Sequence, residues 1–249
     1  MPATAIICTG LPKLCGSHKT KSSAARPQAY RSVLQERRWL SANAFELRLT
    51  RPEGFAFRAG QHIRVRAQGD ERDYSLCSAP EEAQLELCIR HLRDGVVTPA
   101  LASLEPGAEL AFTGPRGHFT FRPSNRPAVF VATGTGVAPF AAMARSGVRD
   151  FLLLHGVRQP EDLYYEELFR AAASQVVPCL TGPGAGRRAR HEAFSGRVTA
   201  YLEATLPRRA YDFYLCGRDE MIWDVTLLVD EAFPGSRVYS EIFFSSRED

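Results

Sequence analysis

Ala128-Val129-Phe130-Val131-Ala132-Thr133-Gly134-Thr135-Gly136-Val137-Ala138-Pro139 carries an apolar run of strand length into two glycines and then into the opening of a helix. Backbone free of Cβ atoms at a helix start can approach a diphosphate closely, and the helix dipole favours the negative charge. A lone Gly-x-Gly is weak evidence, but its place at the crossing from strand to helix raises its value. Pro139 stands where the third glycine of an ordinary Gly-x-Gly-x-x-Gly fingerprint would be.

Downstream, runs of strand length at Ala128–Thr133, Phe151–Val157, Val176–Thr181, Phe213–Cys216 and Arg237–Phe243 alternate with helical stretches. The helices are expected near Pro139–Ser146, Glu161–Ala173, Arg197–Ala204 and Asp219–Phe233. Such alternation predicts an α/β, doubly wound parallel sheet with helices on both faces. Cys216 and Gly217 fall at the carboxyl end of a strand, where sheets of this kind bind ligands. Cys216 equally suits a small buried residue, Phe243 a core position and Glu241 a solvated carboxylate.

Upstream the pattern is different. Tyr30–Leu40, Phe45–Arg51, His62–Ala67, Asp73–Cys77, Leu85–Leu92 and Glu109–Phe112 are short and β-rich, and Gly, Pro or Asn separate them. They predict a six-stranded antiparallel β-barrel, interrupted by one short helix at Pro99–Leu104. The chain thus divides into a flexible extension (1–29), a barrel domain (30–123) and an α/β domain (124–249).

Inside the barrel segment stands Arg72-Asp73-Tyr74-Ser75. On an extended strand, Arg72 and Tyr74 share one face while Asp73 and Ser75 take the other. The first face offers a guanidinium fork for a phosphate and an aromatic plane for a flat ring, as a flavin nucleotide requires. An ordinary polar surface strand explains the same four residues. Gly95-Val96-Val97-Thr98 precedes the short helix, where amides and the Thr98 hydroxyl suit a pyrophosphate. Gly114-Pro115-Arg116-Gly117-His118-Phe119 reads as a tight turn.

The chain has 249 residues, 45% hydrophobic and 24% charged, ordinary for a globular protein. Its net charge of +3 is unevenly placed: residues 1–30 hold four basic and no acidic groups, residues 31–123 hold 13 and 12, and residues 124–249 hold 14 and 16. The body is near neutral, which argues against a basic nucleic-acid face. The longest apolar stretch, Ala128 to Ala144, is broken by Gly134, Gly136 and Pro139, so no membrane span is expected. Cysteines 8, 15, 77, 88, 179 and 216 lack paired short spacing, which suits free thiols in a reducing compartment such as the cytoplasm, and no metal site is expected. The basic, acid-free start also has the character of a transit peptide, which leaves organellar targeting open.

In this order, Arg72-x-Tyr74-Ser75, Gly95-x-x-Thr98, Gly114-Pro115-x-Gly117-x-Phe119, Gly134-Thr135-Gly136-Val137-Ala138-Pro139, Cys216-Gly217 and Glu241-x-Phe243 resemble the ferredoxin–NADP reductase superfamily over about residues 31–244. The resemblance implies an FAD pyrophosphate site at Arg72, Gly95, Val96, Val97 and Thr98, with Arg90 also on the cofactor. It implies Tyr74 stacked on the isoalloxazine and Ser75 beside flavin N5. Thr135 and Gly136 would hold the nicotinamide dinucleotide, Cys216, Gly217 and Glu241 would frame the nicotinamide, and Phe243 would lie near the ring's other face. The implied catalytic set is Ser75, Cys216 and Glu241. Hydride would pass from NAD(P)H to FAD, and single electrons would then leave to an acceptor.

Arg158 follows the second α/β strand where an acid would signal NAD, and Arg187, Arg188 and Arg190 lie in a Gly-rich loop after the third. Arginine forks suit a 2′-phosphate, so NADPH is expected ahead of NADH; a solvated basic loop explains the same residues. Thr181-Gly182 stands where NADP-using relatives often carry Ser-Arg. The Cys-x4-Cys-x2-Cys run of a plant-type iron–sulfur centre is missing, so the acceptor is expected to be a separate molecule. Candidates are a ferredoxin or flavodoxin, or an oxygenase component; a non-catalytic flavoprotein subunit is the remaining alternative.

Overall fold

The computed structural model describes residues 28–183 and 193–242. Six antiparallel strands form the first half: β1 Ala29–Ser41, β2 Ala44–Thr50, β3 His62–Ala67, β4 Asp70–Ser75, β5 Gln84–Arg90 and β6 Glu109–Arg116. Their order is β4-β3-β6-β1-β2-β5. A bridge between Leu76 and Leu87, with the Cys77 amide donating to the Glu86 carbonyl at 2.8 Å, brings the end of β4 back onto β5 and rounds the sheet into the predicted barrel. Inward residues alternate along the strands, as the two-residue period requires: Phe45, Leu47 and Leu49 on β2 meet Leu85, Leu87 and Ile89 on β5 in one buried cluster. Helix α1, Val97–Ala102, covers one end and sends Val97 and Leu101 into that cluster.

The second half is a parallel sheet of β7 Ala128–Thr133, β8 Leu152–Val157, β9 Gln175–Leu180, β10 Phe194–Ser195, β11 Asp212–Gly217 and β12 Arg237–Ile242. The order β10-β9-β8-β7-β11-β12 starts at the centre, runs to one edge and returns to fill the other. The crevice where this direction reverses lies between the carboxyl ends of β7 and β11. Helices α4, Val198–Thr205, and α5, Asp219–Ala232, cover one face through Val198, Leu202, Ile222, Val225 and Val229. The other face packs on α2, Ala138–Arg145, and α3, Glu166–Ala172. That same cluster takes in Ala44, Cys77 and Cys88 from the barrel, so the halves share a core.

This shared core explains why both faces of β2 and β5 are buried. Glu46 and Glu86 point outward from the barrel yet are only 2% and 6% exposed, because the second half covers them. Tyr165 donates to Glu46 at 2.9 Å, and Arg145 pairs with Glu86, so each buried carboxylate has a partner. Burial works against ionisation of Glu86, but Arg145 and Arg48 outweigh it and hold the group below the usual carboxylate range.

Five elements depart from expectation. Strand β6 runs on to Arg116, so Gly114, Pro115 and Arg116 of the expected turn lie in the strand, and the two-residue β10 adds a sixth strand to the five expected. The helix predicted at Glu161–Ala173 is a 3-10 turn, Pro160–Asp162, followed by α3, with Tyr165 between them at φ +59°. Strand β4 begins at Asp70, three residues before the predicted start. As an edge strand it needs no apolar alternation to pair with β3. Helix α1 begins at Val97, two residues before the predicted start at Pro99, so Thr98 lies within it.

Candidate active site

The expected division of faces on β4 is present. Arg72 is exposed and its Nη1 donates to the Glu71 carbonyl at 2.8 Å, leaving the fork at the surface. Tyr74 lies partly buried against the barrel cluster, and its buried hydroxyl has no hydrogen-bond partner among the described residues. Burial pushes the Tyr74 phenol up, with Arg72 pulling the other way, so it remains a neutral donor. Helix α1 packs on β3 and β4, which brings the Gly95–Thr98 segment towards Arg72 and Tyr74. Val96 is 56% exposed, whereas Val97 is core. The Thr98 hydroxyl accepts from the Leu92 amide at 2.9 Å and donates to the Leu92 carbonyl at 3.1 Å. It therefore braces the loop, and exposed backbone is what remains there for a phosphate. Arg90 is exposed at the end of β5.

Asp73 and Ser75 face the other way, into a polar cluster at the seam between the halves. Ser75 donates to Glu241 Oε2 at 3.3 Å, and Glu241 Oε1 lies 2.9 Å from His62 Nδ1. Arg64 binds both Asp73 oxygens at 2.7 Å. Ser75 and Glu241 are 5% and 9% exposed. Glu241 stands level with Cys216 across the β11–β12 ladder. Cys216 is fully buried, and burial, followed by the Glu241 charge, drives its pKa well above the ordinary thiol value. It is a small neutral wall residue here, unsuited to act as a thiolate.

The crevice between β7 and β11 is closed tightly by glycine. A Cβ on Gly136 would lie 2.4 Å from the Cys216 carbonyl oxygen and 2.6 Å from the Gly217 α-carbon. Contact with β11 thus dictates Gly136, whereas Gly134, at φ +53°, has nothing within 4 Å of the corresponding position. Gly134 to Val137 form a 3-10 turn before α2, leaving Thr135 half-buried at the crevice. His155 Nε2 lies 2.9 Å from the Gly134 carbonyl oxygen and steadies the turn from below.

Beyond β8 and β9, the Gly182 amide donates to the Arg158 carbonyl at 2.8 Å. The Thr181-Gly182 pair therefore sits beside the exposed Arg158. Arg187, Arg188, Arg190 and Phe243 lie outside the described residues. One participant escaped the sequence reading: His62 joins the cluster through its cross-strand pairing with Ser75. Gly117, read as part of a tight turn, packs so closely on His62 and Glu241 that a Cβ would lie 2.8 and 2.9 Å from them.

These residues fit an FAD between the halves: an exposed guanidinium and an aromatic ring on one face of β4, a buried phenol without a partner among the described residues, the exposed Val96 before α1, and a serine–glutamate pair at the seam. The flavin, when bound, supplies the ability to accept a hydride and release electrons singly. The protein's part would be to position the reacting partners.

The family described as oxidoreductase FAD-binding domain matches residues 32–121, and that described as oxidoreductase NAD-binding domain matches residues 130–226. Ferredoxin–NADP reductase B of Sorangium cellulosum is 34% identical over 204 residues, 74% of this chain and 84% of that protein. The toluate 1,2-dioxygenase electron transfer component of Pseudomonas putida is 28% identical over 87% of this chain and 68% of its own. The fold matches a ferredoxin NADP+ reductase from Neisseria gonorrhoeae solved with bound FAD and NADP, with a TM-score of 0.72, 21% identity and coverage of 87% of this chain and 100% of that one. With its barrel, its nucleotide crevice and a relative of this identity over most of its length, the chain belongs to the ferredoxin–NADP reductase superfamily of FAD-dependent NAD(P)H oxidoreductases.

Proposed function

We propose that this flavoenzyme takes a hydride from NADPH onto FAD and passes single electrons to a ferredoxin or flavodoxin. Its barrel domain would span about residues 30–123 and its nucleotide domain 124–249. The observation that carries the reading is the Ser75–Glu241 hydrogen bond of 3.3 Å, which joins the barrel to a strand level with Cys216. One buried polar pair would thus meet both the flavin edge and the nicotinamide crevice. Tyr74 would stack on the ring, while Arg72, the exposed backbone before α1 and Arg90 hold the nucleotide part. Thr135, Gly136 and Gly217 would bound the nicotinamide dinucleotide. Arg158, with Arg187 and Arg188, supports the preference for a 2′-phosphate.

Similarity to an oxygenase electron transfer component supports a second reading, in which the acceptor is an oxygenase component. The four buried free thiols at 77, 88, 179 and 216 suit the reducing cytoplasm. No described helix is long and apolar enough to cross a membrane.

Anaerobic titration of the flavin-loaded protein with NADPH and NADH, followed at the flavin absorbance, tests the reading. Bleaching at stoichiometric NADPH is expected. Failure with both nicotinamides would leave a docking subunit, and a clear NADH preference would overturn the choice of NADPH. Addition of a ferredoxin, a flavodoxin or an oxygenase component then identifies the acceptor.

A further inference from the structure

His62 has no role in the chemistry described so far, yet it extends the Ser75–Glu241 pair towards the surface. It opens β3, opposite Ser75 on β4 and Arg116 on β6. Its Nδ1 lies 2.9 Å from Glu241 Oε1, and its Nε2 lies 3.8 Å from Asp73 Oδ2. Side-chain exposure rises along the row, from 9% at Glu241 through 14% at His62 to 24% at Asp73. Gly117, at φ +86°, lays bare backbone against both His62 and Glu241. Charged groups near His62 include Asp73 on β4 and Glu241 on β12, with Arg64 on its own strand and Arg116, its register partner on β6, both acting on Asp73. Burial opposes the charge on Asp73, but its bonds to Arg64, with His62 and Arg116 nearby, outweigh it and hold the carboxyl below the usual range. The outer end of the row is therefore an ionised Asp73 paired with Arg64.

We propose that His62 is a positioning residue that holds Glu241 on Ser75 and relays a proton between that pair and solvent past Asp73. The proposal rests on the hydride-and-electron reading above, and the balance requires such a route. NAD(P)H delivers one proton and two electrons together as hydride. Two one-electron acceptors then take one electron each, and one proton per NAD(P)H is left to be released. It would pass by way of the Ser75 hydroxyl to Glu241 Oε2 and, as the carboxyl group turns, on to Nδ1 of the His62 tautomer that carries its hydrogen on Nε2, while the Nε2 proton departs to water beside Asp73. An imidazole can take a proton at one nitrogen and give one up at the other near neutral pH.

His62→Asn keeps an amide nitrogen near the Nδ1 position but cannot relay a proton. In the flavin-loaded variant, acceptor-driven reoxidation is expected to slow about tenfold, to change the shape of its pH profile, and to recover when imidazole is added. In the flavin-free chain, Glu241→Gln should move the His62 Nδ1 resonance in 15N spectra and leave those of His91, His118 and His155 in place. A reoxidation rate and pH profile equal to wild type, or an unmoved His62 resonance, would overturn the relay. Absence of flavin reduction by either nicotinamide would instead remove the functional reading and the relay together.

Discussion

Gly217 ends β11 against Thr133 so closely that a Cβ there would lie 2.1 Å from Thr133 Oγ1, and the same hydroxyl accepts the Arg218 amide at 2.9 Å. Gly217 also has φ +144°, a conformation that side chains rarely adopt. Gly217→Ala must therefore open the crevice or strain the backbone. The expected cost is about 1–3 kcal/mol, seen as a lower urea midpoint, together with a raised KM for the nicotinamide. Flavin content should hold, because Tyr74 and Arg72 lie on the barrel; wild-type KM and midpoint would contradict this account of the crevice.

Tyr74 offers one flat face, and its buried hydroxyl has no hydrogen-bond partner among the described residues. Tyr74→Ala should raise the dissociation constant for FAD about 10- to 100-fold, equivalent to roughly 1.4–2.7 kcal/mol. Tyr74→Phe should lose less, since it keeps the ring. Flavin absorbance per protein after gel filtration measures both, and full retention of the flavin by the alanine variant would remove Tyr74 from the site.

Glu241 touches Ser75 and His62 and stands level with Cys216. Glu241→Ala removes the carboxylate that joins the halves, and stopped-flow reduction of bound FAD by NADPH should slow about 100-fold while flavin content is kept. A reduction rate within twofold of wild type would show that the pair orients nothing of consequence.

His155 is buried, and desolvation lowers its pKa to about 4, against a smaller opposing effect from the Gly134 carbonyl. The native state therefore keeps it neutral while the unfolded chain takes up a proton below about pH 6.5. Since the unfolded state binds more protons between those values, stability should fall as pH drops through this window. From pH 7 to pH 5 the loss should be about 2 kcal/mol. His155→Gln should flatten that part of the curve, as read by urea midpoints at several pH values.

Much of this arrangement was legible in the sequence because it follows from local chemistry. Alternation on β2 and β5, and glycines between a strand and a helix, identify a barrel and a nucleotide-binding sheet without coordinates. The two faces of β4 follow from the strand period alone, and Asp73 and Ser75 do turn away from Arg72 and Tyr74. Contacts between strands distant in the chain were not legible. His62 reads as an unremarkable strand residue until register sets it opposite Ser75, and 179 residues separate it from Glu241 in sequence. The placement of Thr98 inside α1, with its hydroxyl spent on Leu92, likewise depends on where the helix starts, which propensity fixes only loosely.

The sequence by itself determined the two architectures, the glycine-lined crevice and the shared face of Arg72 and Tyr74, because strand period, turn chemistry and glycine's missing side chain act over a few residues. Tertiary structure alone decided that Gly136 answers to β11, that Cys216 is walled off as a neutral thiol, and that Ser75, Glu241, His62 and Asp73 form one row. Such facts depend on which strands pair and on how one half closes over the other, and burial and charge compensation across that seam have no local signature in the chain.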